Sequence, residues 1–370
     1  MHFERVIDES KTDNVSRIVK SSSRHYQVTL FKDPFDISLT HNYDAVLVDN
    51  CFRELIPYNS TTLFLAISED EKSFITYQKI IDFFLHLKLT KSSRILVIGG
   101  GVMHDVCGFA IATYMRGIDW TYIPTTLVSM VDVCIGGKCA VNYQSLKNVV
   151  GTVYPPHRVF VYSGFVDTLT ISQFSSGLIE ALKTAFIGCK LKQFLECIAI
   201  DSDTLKVDLT SVIELSLNIK ANIVEIDEYD QNIRQNLNFG HTIGHAIESA
   251  TCHKIEHGLA VGVGILAELL LFHHQGGNLT PDIDLLMKTI DKILNMNILS
   301  LYVLRNLDHE VFQKSLKMDK KNCGHKLAFA FPCDAYVPSE KYLGFSLNTK
   351  IQLIENMDIS IFVEFLSKYA

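Results

Sequence analysis

The sequence predicts an α/β domain followed by a mainly α-helical one, and three observations carry that prediction. Short apolar runs alternate with segments of helical periodicity through the first half of the chain, the pattern of a parallel sheet covered by helices. From about residue 171 long helical patterns replace the alternation. The length, 370 residues, suits two domains and is ample for a buried core. The boundary is placed near 170, giving domains over 1–170 and 171–370.

In order, residues 43–48 (YDAVLV) and 62–67 (TLFLAI) read as buried strands, and 72–89 has helical periodicity. Residues 94–98 (RILVI) form a strand running into Gly99-Gly100-Gly101, 105–115 is helical, and 121–123 (TYI) is a strand ahead of Pro124-Thr125-Thr126. The last strand of this half is 159–162 (VFVY). Helices are expected over 175–189, 206–224, 241–250, 256–274 and 282–295, then a short strand at 326–331 (KLAFAF) and a final helix over 361–369.

Composition excludes several classes. Hydrophobic residues make up 48% and charged residues 20%, ordinary for a globular protein. A formal net charge of −7 argues against a nucleic-acid or membrane-surface binder, so an anionic substrate would need a local basic pocket. The opening MHFERVIDESKTDN is acidic and has no apolar core, unlike a signal peptide. The greasiest run, 258–272, includes Glu268 and falls short of the roughly 20 apolar residues of a spanning helix. Nine cysteines without CxxC pairs suggest reduced thiols and a cytoplasmic setting.

Several motifs carry chemistry. Gly99-Gly100-Gly101, between a strand and a helix, lets backbone N–H groups approach a pyrophosphate at the helix N-terminus. It is not GxGxxG, and any α/β protein can hold such a turn. Pro124-Thr125-Thr126 could add hydroxyl donors at the same sheet edge. Residues 130–142 (MVDVCIGGKCAVN) followed by Leu146-Lys147-Asn148 interleave Asp132, Lys138 and Asn148 with apolar positions, as a polar loop does. Paired glycines before a lysine would also admit an anion close to the backbone. Glu180 and Lys183 stand at i and i+3 on an apolar helix, a spacing equally typical of a surface ion pair. His241 and His245 are one helical turn apart in HTIGH, which lacks the glutamate of HExxH zinc enzymes. They read equally as two core or surface histidines. His257 offers a third imidazole, and two His with one Glu form a known zinc set with an open position. Asp319-Lys320-Lys321-Asn322 reads as a solvated charge run.

Taken together, GGGVMHDVCGFAIATYMRG, IPTTLVSMVDVCIGGKCAVN, LKNVVG, GLIEALKTA, LNFGHTIGHAIE and EHG resemble, in order and spacing, the 3-dehydroquinate synthase family and its sugar phosphate cyclase relatives. The resemblance runs from about Asp49 to Lys321. It implies an N-terminal NAD-binding α/β domain and a C-terminal helical metal-binding domain, in a homodimer, with zinc or cobalt held by Glu180, His241 and His257. It places His245 at the substrate phosphate or a proton transfer. Substrate-site positions implied in the same way are Arg116, Asp132, Lys138, Asn148, Lys183, Lys220, Arg234, Asn238 and Lys321, with Arg116 reaching a neighbouring subunit. Implied NAD contacts are Asp49, Glu69, Lys72, Gly100, Gly101, Asp105, Thr125, Thr126, Asp132, Lys138, Lys147, Asn148, Thr168 and Leu169.

The implied reaction oxidises one hydroxyl of a seven-carbon sugar phosphate with NAD, eliminates phosphate, returns the hydride and closes a carbocycle by an aldol step. Arg234 and Asn238 stand where the family that handles a carboxylated sugar keeps Arg and Asn, and a guanidinium suits a carboxylate. This favours 3-deoxy-D-arabino-heptulosonate 7-phosphate. The alternatives are a cyclase making 2-deoxy-scyllo-inosose or acting on sedoheptulose 7-phosphate, and a metal-dependent NAD alcohol or polyol dehydrogenase. Departures from the family pattern are His104 for a small residue, Val133-Cys134 for two serines, Tyr154-Pro155-Pro156, and Ser68 before Glu69.

Overall fold

Six strands with near-continuous apolar sequence build a parallel sheet in the first part of the chain. The computed structural model describes residues 14–33, 37–56, 58–144, 146–200, 205–318, 327–336 and 346–354, with Phe362 and Phe365. Lys320, Lys321 and most of the helix expected over 361–369 lie outside them. The chain divides into two compact units, Met1–Thr168 and Leu169–Ala370.

In unit 1 the strands are β1 (Val15–Val19), β2 (Tyr26–Phe31), β3 (Ala45–Asp49), β4 (Thr62–Leu65), β5 (Arg94–Gly99), β6 (Asp119–Pro124) and β9 (Arg158–Tyr162). A hairpin of β7 (Lys138–Tyr143) and β8 (Leu146–Val153) lies between the last two, and the helices are α1 (Phe74–His86) and α2 (Gly101–Thr113). The seven-stranded sheet has the order β1-β2-β9-β6-β5-β3-β4, parallel throughout except for β1. Val46, Val48, Leu96, Ile98, Phe31 and Phe160 form a core cluster on it. Residues such as Ala45–Val48 and Ile95–Ile98 are buried on both faces, which is why they read as unbroken apolar runs. From β3 the chain moves outward to β4, then returns to β5 and proceeds the other way through β6 and β9. That reversal between β3 and β5 is the switch point at which open α/β sheets hold ligands, outside the carboxyl ends of their strands.

Boundaries move for local reasons. α1 starts at Phe74 because the Ser73 side chain caps it, accepting from the Thr76 N–H. α2 starts at Gly101 and not at 105, with Gly100 as its N-cap, so the glycine turn opens the helix directly. Polar stretch 130–148 is not a loop. It forms a single-turn π-helix, Ser129–Val133, followed by the β7–β8 hairpin, in which only Cys139 and Val141 are buried, too few for a continuous apolar run.

Unit 2 contains α3 (Ile171–Ile187), α4 (Leu191–Glu196), β10 (Ile198–Ile200), β11 (Leu205–Val207), α5 (Leu209–Ile226), α6 (His241–Ala250), α7 (His257–His274), α8 (Pro281–Asn295), α9 (Ile298–Leu301), α10 (His309–Met318), β12 (Leu327–Tyr336) and β13 (Leu347–Ile354). α3 packs against α5, α7 and α8, and α6 against α7 and α10. The helix expected from residue 206 begins at Leu209, where Asp208 caps it, because residues 205–207 pair with β10. Among the described helices, α7 alone has the length and apolarity to cross a bilayer, yet 72% of that window is buried within the protein. The eight cysteines among the described residues are free thiols.

Candidate functional site

Glu180 occupies the middle of α3, where every residue from Ser175 to Ile187 is buried. A lone carboxylate there would be very costly, and Lys183 one turn on answers it: its Nζ donates to Glu180 Oε2 at 2.6 Å, both residues being 1% exposed. The surface ion pair that the spacing also allowed is therefore a core ion pair. Glu180 Oε1 is buried and has no hydrogen-bond partner among the described residues. It faces His241 Nε2 at 3.9 Å and His257 Nε2 at 3.7 Å. Both gaps are too long for hydrogen bonds. Two tetrahedral zinc ligands, each ~2.05 Å from the metal, stand about 3.3 Å apart. One carboxylate oxygen and two imidazole nitrogens, mutually within 4.8 Å, thus fit a single divalent cation, and the orphaned Oε1 gains a partner from it.

Two helices begin at these imidazoles. His241 opens α6 and His257 opens α7. Gly240, at φ 78°, turns the chain into α6, and its N–H donates to Glu268 Oε2 at 3.0 Å. Glu268 comes from within apolar α7 and is fully buried. α6 and α7 touch through glycine: a Cβ on Gly264 would meet Gly240 O at 2.1 Å. The start of α7 meets α3 in the same way. The Gly258 N–H donates to Ser176 Oγ at 2.8 Å, and a Cβ on Gly258 would lie 2.0 Å from Ser176 O. Glycine contacts therefore set the start of α7, which carries His257, close to α3, and the start of α6, which carries His241, close to α7. His241 Nδ1 lies 3.2 Å from Phe239 O, and His257 Nδ1 lies 3.2 Å from Glu248 Oε2.

His245 is exposed and adjoins both rings, with centroids 5.3 Å from His241 and 5.9 Å from His257, outside the Glu180 trio. It falls in a second cluster with Glu248 and His257. Lys220 is 5% exposed on α5, which packs on α3. Arg234 and Asn238 share the 3-10 turn Ile233–Asn238, ending two residues before Gly240. The Asp227 carboxylate organises that turn by accepting N–H groups of Gln231 (2.9 Å), Asn232 (2.7 Å) and Arg234 (3.1 Å). Arg234 is buried, and its Nη1 donates to Glu228 O.

In unit 1, Asp49 ends β3 and Gly100 and Gly101 follow β5, the two strands flanking the switch point, while Thr125 and Thr126 follow β6, the neighbour of β5. A Cβ on Gly100 would lie 2.9 Å from Thr126 Cγ2, so these turns pack closely. Lys72 Nζ donates to Asp105 Oδ2, and His104 Nδ1 lies 3.2 Å from Asp105 Oδ1. Burial works against the charge on Lys72, but the Asp105 and Glu69 carboxylates outweigh it and raise its pKa above the ordinary lysine value. Burial likewise pushes Asp105 up, and Lys72 and His104 outweigh it, holding its carboxyl below the ordinary range. Asn142, which sequence reasoning passed over, joins the others: its Nδ2 donates to Glu69 Oε1 at 2.9 Å, and its Oδ1 accepts from the Asn148 N–H at 2.9 Å. Lys147 Nζ lies 3.8 Å from Glu69 Oε1. Asp132 sits on the π-turn and Lys138 is exposed at the start of β7. Thr168 is exposed, its hydroxyl donating to Phe165 O at 2.7 Å, and Leu169 is half-buried.

Arg116 is exposed on a turn where Met115 (φ 49°), Arg116 (φ 60°) and Gly117 (φ 97°) are all left-handed. The Lys91 ammonium holds that turn, donating to the carbonyls of Met115, Arg116 and Gly117.

The family model described as 3-dehydroquinate synthase N-terminal matches residues 62–176, and that described as 3-dehydroquinate synthase C-terminal matches 177–322. A 3-dehydroquinate synthase of Streptococcus equi subsp. equi is 34% identical over 276 residues, covering 74% of this chain and 76% of its own length. Among solved structures, a 2-deoxy-scyllo-inosose synthase complexed with carbaglucose-6-phosphate, NAD+ and Co2+ superposes with a TM-score of 0.70 at 20% identity, covering 96% of this chain and 99% of the other. A 2-epi-5-epi-valiolone synthase from Streptomyces hygroscopicus subsp. jinggangensis with NAD+ and Zn2+ bound gives 0.69 at 19% identity, covering 95% and 99%. At those identities the structural likeness speaks for the fold.

Proposed function

The chain belongs to the 3-dehydroquinate synthase family, and on that premise we propose that it converts 3-deoxy-D-arabino-heptulosonate 7-phosphate into 3-dehydroquinate and phosphate. The observation that carries this reading is the buried, unpartnered Glu180 Oε1 facing two imidazole Nε2 atoms. When bound, a divalent cation supplies a Lewis acid for the reacting oxygen, and NAD takes up and returns a hydride.

The chain's own groups divide the remaining work. Lys183 pairs with Glu180 Oε2 and leaves Oε1 turned toward the imidazoles. Lys220 and Arg234, buried cations in an acidic chain, offer the local positive charge that a doubly anionic sugar needs. Arg234 meets the substrate carboxylate, with Asn238 beside it on the same turn. His245, exposed and one turn from His241, takes the phosphate or moves a proton. Asp49, Glu69, Lys72, Asp105 and the glycine turn hold NAD, helped by Thr125, Thr126, Lys147 and Asn148. The donor set of two His and one Glu suits zinc. The reading extends to a homodimer in which Arg116 reaches the neighbouring subunit, to a cytoplasmic setting consistent with free thiols, and to a step in aromatic amino acid biosynthesis.

The test incubates the protein with NAD, zinc and, separately, the carboxylated heptulosonate phosphate, sedoheptulose 7-phosphate and glucose 6-phosphate. Released phosphate and the carbocycle are measured. Turnover is expected only with the carboxylated sugar and without net NADH. Product from sedoheptulose 7-phosphate or glucose 6-phosphate would move the chain to the cyclitol branch. Accumulating NADH would indicate a dehydrogenase.

A further inference from the structure

We propose that Glu248 is a positioning residue of the metal centre: its carboxylate takes the Nδ1–H of His257 and so turns the ring's Nε2 lone pair onto the point shared with Glu180 and His241. The inference rests on the reading of those three residues as ligands of one divalent cation.

Helix α6 presents two residues to this centre from one stripe. His241 and Glu248 stand seven positions apart, two turns along the same face, with His245 between them. Glu248 is 6% exposed, so its carboxylate is fixed by its surroundings, and its Oε2 lies 3.2 Å from His257 Nδ1. On the other side of the ring, Nε2 lies 3.7 Å from Glu180 Oε1. A neutral imidazole carries one N–H. With Nδ1 against a carboxylate the proton belongs there, and the Nε2 lone pair is left for a cation.

The two imidazoles are held differently. His241 has its Nδ1 against the backbone carbonyl of Phe239, a partner no substitution of a side chain removes. The His257 side chain is 35% exposed at the first position of α7, and its orienting oxygen comes from a side chain. Loss of Glu248 therefore leaves that ring to rotate and to exchange tautomers, and the cost falls on metal affinity.

A competing arrangement uses the same atoms. His245, Glu248 and His257 also lie close enough to share an ion. With His257 Nε2 given to the inner trio, a second ion would need Nδ1, and a ring coordinating through both nitrogens must lose its last N–H. The hydrogen-bonded arrangement needs no such loss.

The experiment measures zinc affinity of the full chain, stripped of metal, by competition with a chromophoric chelator, for the unaltered protein, Glu248→Ala and Glu248→Gln. Long-range 1H–15N spectra report the His257 tautomer in the same samples. Glu248→Ala should weaken zinc by about 10–100-fold. Glu248→Gln, whose amide oxygen still accepts from Nδ1–H, should recover most of that loss. The metal-free unaltered protein should show the Nδ1–H tautomer. Equal zinc affinity in unaltered protein and Glu248→Ala would overturn the proposal, as would an Nε2–H tautomer in the unaltered protein, which decides the matter even if Glu248→Ala folds poorly. A second zinc equivalent that Glu248→Gln loses would place an ion on the outer trio instead. Failure of the unaltered protein to bind zinc, whatever the tautomer, would overturn the ligand reading itself.

Discussion

Replacing Gly264 by alanine sets helix propensity against packing, and the structure gives the sign. In an open helix the change would stabilise by about 1 kcal/mol. On α7 the added Cβ would meet Gly240 O at 2.1 Å, Gly240 C at 3.0 Å and Gly244 N at 3.0 Å. All three are backbone atoms of another helix or its N-cap, so no side-chain rotation relieves the contact. Overpacking of this kind costs about 3 kcal/mol, at the upper end of the usual range. The net loss is then about 2 kcal/mol, or roughly 4–8 °C in Tm for a folding unit the size of Leu169–Ala370. Because Gly240 leads into His241, zinc affinity should fall with it. Gly262→Ala on the same helix is the internal control. Its Cβ would meet only the tip of Ile179 at 2.8 Å and other side-chain methyls at 3.4 Å, so its Tm should stay near that of the unaltered protein. The assay is thermal unfolding of both variants with and without zinc. A Tm for Gly264→Ala equal to or above that of Gly262→Ala would refute the claim that backbone contact between α6 and α7 sets the position of His241.

Asp105→Asn should destabilise by about 2–3 kcal/mol at pH 7 by removing the carboxylate that Lys72 pairs with and leaving only Glu69 to oppose its charge. Asp105 is held below its ordinary pKa, so its contribution is present above the unfolded value of about 4 and disappears as pH falls through the lower folded value. Lys72 is raised, so its share is lost only as pH climbs past about 10. Denaturant titrations should show a flat difference from pH 5 to 9, and a difference that changes between pH 6 and 8 would contradict the assignment. His104→Ala should lower stability by about 2 kcal/mol, because the ring fills space between Trp120 (5.3 Å) and Tyr122 (4.8 Å). An unchanged denaturation midpoint would show the packing to be slack. Arg234→Ala should lower kcat/KM for the carboxylated sugar on the order of 100-fold. An unchanged value would remove Arg234 from the carboxylate.

Five of the six parallel strands were legible because burial on both faces leaves no polar alternation, as in Ile95–Ile98. β2, buried and parallel too, was not expected because Gln27 and Thr29 interrupt its apolar run. β1 and the β7–β8 hairpin were missed for the opposite reason: few of their residues are buried, and pairing partners hold them. Glu180 and Lys183 show the limit of local spacing. Three residues apart on a helix is the same in water and in a core, and only the packing of α5 and α7 on α3 decides between them. Glu248 and Glu268 did carry a signal. One repeats the His241 stripe at seven residues, and the other is a lone carboxylate in an apolar helix, which a core tolerates only with a donor. Asp227 and Asn142 gave none, since accepting backbone N–H groups from five or six residues away leaves no periodic trace.

The turn bearing Arg116 owes its shape to an ammonium from elsewhere in the chain. Lys91 is exposed, and its three N–H bonds match the three carbonyls it serves. Acetylation of that one amine would leave a single N–H, returning two carbonyls to water and releasing the left-handed pair before Gly117. The backbone that carries the Arg116 guanidinium is thus held by a residue twenty-five positions upstream, and can be loosened there without altering Arg116 itself.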